Sequence, residues 1–485
     1  MMPRQTQRWL IALTLFAFLW RLPGLFAHTF HADEALFASW ARLIAVWRDP
    51  LLQTQLIDEP PLAFYLQAAF YPLLGNVPYA ARLPNFIASL LLLPVLAQWL
   101  WHLYQDELTV RVAAIILVFS PLAIQSSATA FLDPLLVTLL LAALWAQAAG
   151  GRGRPLTAGF LYGLALLTKI PAVLYFPLLL GQGWLFGWRW RQWRRWLAGL
   201  LPLALLFLAW HVIYDGPPVW QLQFARYGGL RLIWSWELWS RLSAWGPLWG
   251  ATLGTPAFFL ALLLPVFLAW LVQQEDWHTA LDQLFVIAFI AYFLLLWFVA
   301  GHVTDRYVLL VLPLVALIVA RLTARIWSAL PLVIPPPRLK RLLPLLLVGL
   351  CLAQMPAALA ARQSRYPVGG FPTADAGAAQ VAAYLADAPY GTVLYDHWYS
   401  WQWRYHFFDT GVYVSWFPHP TALVADLQAF ARASAGSRYL ALPPDIAAAP
   451  VQRAVQTAGF RLDPVLQTIL PDGRPGIALY HITAP

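Results

Sequence analysis

Gly163-Leu164-Ala165-Leu166-Leu167-Thr168-Lys169-Ile170-Pro171 stands in the middle of an apolar run that extends from Leu156 to Phe186. As one helix the run would reach roughly 46 Å, too long for a single untilted crossing of a bilayer and short for two full ones. Four arginines decide the matter. Arg189, Arg191, Arg194 and Arg195 come directly after the run. A single span would place all four outside, against the tendency of cationic loops to stay in the cytoplasm. Two short helices meeting at Lys169 keep them inside. The sequence therefore predicts a helical hairpin with Lys169 at its tip, on the outer face.

Working outward, composition agrees with a membrane chain. Of 485 residues, 61% are hydrophobic and only 11% charged, so a polytopic membrane protein is expected rather than a soluble enzyme with a large core. Helices are expected over strands, because an open sheet cannot satisfy its backbone in lipid. The chain has one cysteine, Cys351, and so no intramolecular disulfide. The net charge is +9, but residues 361–485 hold 8 basic and 8 acidic residues. The surplus belongs to the membrane part, where it marks the cytoplasmic side. No basic tract is interleaved for nucleic acid, so no nucleic-acid partner is expected.

Besides the hairpin, spans are expected near 8–27, 82–103, 109–126, 132–149, 196–214, 252–272, 281–300, 306–326 and 341–361, about eleven helices in all. The first, preceded by Arg4 and Arg8 and lacking a small-residue cleavage site, reads as a retained helix. This map sets the chain in the cell membrane with its N-terminus in the cytoplasm. The first outer loop, 28–81, carries two amphipathic pieces near 34–48 and 62–75, both suited to lie on the membrane surface. The expected domains are a membrane domain over 1–361 and a soluble extracytoplasmic α/β domain over 362–485. In the latter, strand-like runs (392–395, 412–414, 439–442, 477–482) alternate with helical ones (374–386, 421–433, 450–458). No phosphate loop, metal spacing or nucleophile motif marks that domain, and its role is not legible.

On this topology the unusual polar residues gather at the outer face. Asp33, Glu34 and Arg42 lie on the first surface helix, and Asp58-Glu59-Pro60-Pro61 opens the second. Arg82 starts the second span, Asp133 the fourth, and His302, Arg306 and Tyr307 stand at the tenth. Ionisable groups near membrane depth are costly and often functional. Cations there can hold a phosphate, and carboxylates can deprotonate a hydroxyl. Each has a plainer reading. Asp33, Asp58-Glu59 and Asp133-Pro134 are all fit to cap helices, Glu34 is a favourable first-turn acid, Arg82 and Arg306 can snorkel, and His302 can be a hydrogen-bonded loop histidine. Lys169 is harder to explain that way: it is one of only two lysines and sits between apolar half-helices.

Several stretches resemble one family. Asp33-Glu34 resembles the acidic motif in the first outer loop of GT-C membrane glycosyltransferases. Asp58-Glu59-Pro60-Pro61-Leu62-Ala63-Phe64-Tyr65, Ala81-Arg82-Leu83-Pro84, Gly163-Leu164-Ala165-Leu166-Leu167-Thr168-Lys169 and Arg306-Tyr307 with Pro313 are similar, in order and spacing, to segments of the protein O-mannosyltransferase and aminoarabinose-transferase-like group. The resemblance covers about residues 8–325. It implies a GT-C-like fold over 1–361 and transfer of a sugar from a polyprenyl-phosphate carrier to an acceptor hydroxyl at the outer face. It implies a base or transition-state role for Asp33 with Glu34 beside it; donor contacts are expected from the residues gathered at the outer face, Arg42, Asp58, Glu59, Arg82, Asp133, Lys169, His302, Arg306 and Tyr307. Many relatives carry Lys directly before Pro-Pro; here that residue is Glu59. The partners implied are the lipid-linked donor and membrane lipids. Sugar, acceptor and any divalent metal stay open. Two other classes compete: a transporter or flippase of lipid-linked sugars, which would show inverted repeats and mid-membrane charges, and a scaffold indifferent to Asp33→Asn.

Overall fold

The computed structural model describes residues 2–27, 30–214, 216–226, 231–254, 276–329, 336–366, 375, 377–430, 436–444, 448–470 and 473–484. The chain divides into two compact units: Met1–His28 with Ala41–Gly369, and Thr29–Trp40 with Gly370–Pro485.

The first unit is helical. Its described helices are α1 (Arg4–Ala27), α2 (Ala32–Ala45, divided between the units at Trp40), α3 (Leu62–Ala68), α4 (Tyr71–Leu74), α5 (Pro78–Tyr104), α6 (Glu107–Phe119), α7 (Pro121–Ser127), α8 (Asp133–Ala148), α9 (Arg154–Thr168), α10 (Phe176–Leu185), α11 (Trp190–Tyr214), α12 (Val219–Arg226), α13 (Leu238–Leu253), α14 (Trp277–Phe298), α15 (Asp305–Ala329) and α16 (Pro336–Arg362). Among them α1, α5, α11, α14 and α15 are long and apolar enough to cross a bilayer. They fall on the spans expected near 8–27, 82–103, 196–214, 281–300 and 306–326. The span expected at 252–272 lies, beyond residue 254, outside the described residues. The central helix is α15, whose most apolar window is 89% buried against 22% for α11. A helix apolar all round must be surrounded, whereas α11 turns most of its apolar surface outward.

Proline explains where the expected helices break. The span expected at 109–126 is bent by 58° between α6 and α7. Ser120, before Pro121, is pushed to an extended backbone (φ −61°, ψ 121°), and its side chain accepts from the Ala123 N–H to start α7. The surface piece expected at 62–75 splits into α3 and α4, because the Pro72 ring collides with the carbonyl four residues back. Pro171 acts likewise on α9. Lys169 is extended (φ −161°, ψ 138°), and a short 3-10 turn, Ile170–Tyr175, leads into α10. The break expected at Lys169 is there.

Glycine sets how closely α9 and α11 pack. A Cβ on Gly159 would stand 1.9 Å from the Trp196 carbonyl oxygen, and one on Gly199 would stand 2.1 Å from that of Leu156. The two backbones touch at both points, as small residues permit between membrane helices.

The second unit holds a five-stranded sheet in the order β2-β1-β3-β5-β4, with β1 (Val393–Asp396), β2 (Tyr413–Trp416), β3 (Arg438–Leu442), β4 (Arg461–Ile469) and β5 (Pro475–Thr483). β1 runs parallel to β2 and β3, while β5 is antiparallel to β3 and β4. Helices α17 (Ala378–Tyr384), α18 (Ser400–His406), α19 (Pro420–Phe430) and α20 (Ala449–Thr457) complete two apolar cores, one containing Leu394 and Trp403, the other Tyr395 and Leu440. Alternate residues of each strand thus feed opposite faces. The four expected strands are present. A fifth, β4, has no strand-like pattern in sequence because Pro464 interrupts it; it is an edge strand with a register shift at that proline.

Candidate active site

In the first unit the site is organised by a non-helical stretch, 128–132, between α7 and α8. Surrounded by apolar side chains, each carbonyl there needs a donor. Asn85 Nδ2, from α5, donates to the carbonyls of Thr129 (2.8 Å) and Phe131. Gln67 Nε2, from α3, donates to that of Ala130 (2.9 Å). Just upstream, Arg21 of α1 donates to the Leu117 carbonyl in the last turn of α6 and to Ser89, each at 3.0 Å. Nothing in the sequence assigns a role to Asn85 or Gln67, and Arg21 stands outside the expected site. A signal existed for Arg21, the single charge between Trp9 and Ala27.

That pinned stretch delivers Asp133 to the first position of α8. Leu132 holds the N-cap position and makes no side-chain cap, so the capping reading of Asp133 fails. Its Oδ1 accepts instead from Lys169 Nζ at 2.9 Å, with both side chains 8% exposed. The charges of Glu59 and Arg306 also act on this ammonium. The Arg306 guanidinium lies 4.4 Å from the centre of the Phe131 ring, whose backbone Asn85 holds. Four expected residues, Glu59, Asp133, Lys169 and Arg306, are therefore brought together from four separate stretches.

Glu59 arrives by a shaped loop. The Asp49 carboxylate accepts from the Gln53 and Thr54 N–H groups (2.8 and 2.9 Å) and from the Thr54 hydroxyl (2.6 Å). Farther on, the Tyr214 hydroxyl donates to the Gln55 carbonyl (2.9 Å) and accepts from the Ile57 N–H (2.8 Å). Asp58 and Glu59 emerge buried, and neither caps α3, whose N-cap position is Pro61. Here too the capping reading gives way.

Two apolar cavities flank the 3-10 turn after Lys169. One, about 430 Å³, is lined by Ile170, Val173, Trp220, Tyr292, His302 and Tyr307 among others. The second, about 410 Å³, shares Ile170, Val173 and Trp220 and reaches Pro60 and Phe207. Their walls thus include the chain neighbours of Lys169, Glu59 and Arg306. Tyr307 lines the first cavity, and its carbonyl accepts from the Tyr292 hydroxyl at 2.9 Å. Arg82 is buried and donates to the Leu25 carbonyl at the end of α1 (3.2 Å), which answers the snorkelling reading. Arg42 is also buried.

Asp33 and Glu34 belong to the second unit. The cap of α2 is His31, not Asp33. The His31 carbonyl accepts the first helical bond from Ala35, and His31 Nδ1 accepts from the Asp33 N–H at 3.1 Å. The Glu34 carboxylate reaches back to the His31 N–H at 3.3 Å, the reciprocal half of a capping box. The adjacent acids are thereby distinguished: Glu34 is fully buried and engaged at the helix start, while the Asp33 side chain is 38% exposed. Phe30, just upstream, packs edge-on against Tyr405 with ring centres 4.7 Å apart. Among the described residues, no three metal-ligating side chains converge.

Residues 58–214 match the family described as dolichyl-phosphate-mannose-protein mannosyltransferase. No curated protein sequence matches the chain. In fold it is similar to the crystal structure of ArnT from Cupriavidus metallidurans bound to undecaprenyl phosphate, at 15% identity and a TM-score of 0.65 over 98% of both chains. The apo form of that protein gives 16% identity and 0.64, again over 98% of both. The resemblance read from the motifs thus holds: this chain resembles GT-C membrane glycosyltransferases, in sequence across residues 58–214 and in fold across nearly its whole length.

Proposed function

We propose that this protein is a membrane glycosyltransferase that takes a sugar from a polyprenyl-phosphate carrier and passes it to an acceptor hydroxyl at the outer face of the cell membrane. In this reading about eleven helices cross or enter the bilayer, the N-terminus is cytoplasmic, and residues 362–485 stand outside. The observation that carries it is the Lys169–Asp133 pair, held at a helix break with Glu59 and Arg306 in electrostatic reach and apolar cavities alongside. The relative bound to undecaprenyl phosphate supports the choice of carrier.

This arrangement supports the following chemistry. The polyprenyl tail lies in the apolar cavities and its phosphate meets Lys169 and Arg306. Asp133 orients the Lys169 ammonium. As the bond from the sugar's anomeric carbon to the phosphate oxygen breaks, negative charge grows on that phosphate, and cations fixed in a low-dielectric site stabilise it strongly. The acceptor hydroxyl forms the new bond to the anomeric carbon and gives up its proton to a carboxylate base; the family resemblance assigns that role to Asp33, the more exposed of the two adjacent acids. Polyprenyl phosphate leaves.

The test is direct. Purified protein in lipid nanodiscs is given a panel of undecaprenyl-phosphate sugars with membrane extracts as acceptor source, and release of undecaprenyl phosphate is tracked by mass spectrometry. Release with at least one donor is expected. Folded protein that consumes none of a broad panel would overturn the reading.

A further inference from the structure

A third cavity, polar and about 450 Å³, lies at the other end of the bundle, lined by Asp106, Glu107, Arg111, His278, Arg321 and Arg325 among others. Arg306 and Arg325 share α15 and are separated by roughly 28 Å along its axis, close to the thickness of a bilayer's hydrocarbon core. The cavity therefore sits at headgroup depth on the face opposite Lys169. Trp327 lines it and the exposed Trp277 opens the neighbouring α14, as tryptophans do at a membrane interface.

Its charges are of both signs. Arg321 is bound through two nitrogens by Asp282 (2.9 and 3.0 Å), which is wholly buried, and stacks 3.9 Å from the Tyr104 ring centre. Asp276, which caps α14 by accepting from the Thr279 N–H (2.8 Å), lies 3.9 Å from Arg325, and Asp282 lies 3.5 Å from it. The cavity lining itself carries two carboxylates, Asp106 and Glu107, and three guanidinium groups, Arg111, Arg321 and Arg325. Asp106 caps α6 through the Leu108 and Thr109 N–H groups, and Glu107 pairs with Arg111 at 2.5 Å. A purely anionic ligand would be repelled by the acids, and a purely cationic one by the arginines. A ligand carrying a phosphate and a hydrogen-bonding ammonium a few bonds apart suits both.

We propose that this cavity binds the phosphoethanolamine headgroup of a membrane lipid, its phosphate on Arg111 and Arg325 and its ammonium on Glu107 and Asp106. The assignment stands apart from the sugar-transfer reading. To test it, protein stripped of lipid in detergent is titrated with phosphatidylethanolamine, phosphatidylglycerol, phosphatidylcholine or free phosphoethanolamine, reading the melting temperature and lipid retention by native mass spectrometry. Phosphatidylethanolamine should raise the melting temperature by several degrees and be retained, and the other three should not. The double variant E107Q/R111Q, which removes one charge of each sign, should retain it at least fivefold less while melting near wild type without lipid. Equal stabilisation by phosphatidylglycerol would overturn the two-signed site, and equal stabilisation by phosphatidylcholine the requirement for an ammonium donor. Equal protection by free phosphoethanolamine would overturn the lipid source. Undiminished retention by the double variant would remove the assignment to these residues.

Discussion

Lys169 Nζ and Asp133 Oδ1 stand 2.9 Å apart, 36 residues from each other in the chain, with both side chains almost out of reach of water. Taking one partner away leaves the other charge buried without its counterion, which costs about 3–5 kcal/mol. Lys169→Met and Asp133→Leu should therefore each lower the melting temperature in detergent markedly. The double variant should recover most of that loss, because an apolar pair of similar volume replaces the ions. It should recover no donor turnover. Turnover by the double variant would show that the ammonium serves the fold alone.

Asn85 holds two of the three carbonyls that lead to Asp133. Asn85→Leu strips the donors from Thr129 and Phe131, a loss of about 1–3 kcal/mol for buried groups left unsatisfied. Turnover should fall more than stability accounts for, since the stretch carrying Phe131 and Asp133 is released. Thermal unfolding and initial rates on the same preparation separate the two effects.

The contact of α9 with α11 has no room for a methyl group at Gly159. Gly159→Ala should destabilise by about 1–3 kcal/mol, the usual range for overpacking. Gly153, near the start of α9, would have nothing within 4 Å of an added Cβ. Gly153→Ala should melt within a degree or so of wild type. Equal behaviour of the two variants would contradict the backbone-to-backbone packing.

Glu237 gives a pH signature. Its hydrogen bonds from Arg231 (2.7 and 2.8 Å), then from the Trp234 N–H (2.7 Å), hold its carboxyl down at about 2. An unperturbed glutamate titrates near about 4.3. The folded pKa is depressed, so the stabilisation is complete above the ordinary value and disappears as pH falls through the folded one. Amide exchange at Trp234, corrected for the intrinsic pH dependence, should be flat from pH 7 to about 5. Protection should be lost between about 4 and 2, and Glu237→Gln should lose it at every pH.

The physics of proline and charge explains what could be read from the sequence. The break at Lys169 was legible because Pro171 forbids the helix to continue and the arginines after Phe186 forbid a single span. The bend at Ser120 was carried by the same kind of signal, Pro121, yet the apolar run around it suggested one span. Asp133 and Lys169 were both singled out, but their pairing was not legible, since it depends on how α8 and α9 pack. The acids also look like caps from sequence, and the structure sets each one or more residues away from that role. His31 caps α2, Leu132 precedes α8, and Pro61 precedes α3. Asn85 and Gln67 left no pattern: their function is to satisfy carbonyls exposed by a turn that only the folded chain defines.

The most direct test concerns Asp33. Because His31 and Glu34 start α2, Asp33→Asn should leave the helix and the melting temperature unchanged. Wild type and Asp33→Asn are compared in membranes at matched expression, with consumption of undecaprenyl-phosphate sugar as the readout. The account predicts turnover by wild type and a loss of about 10²–10⁴-fold in the folded variant, the usual contribution of a positioned general base. Equal turnover by the two proteins would contradict it.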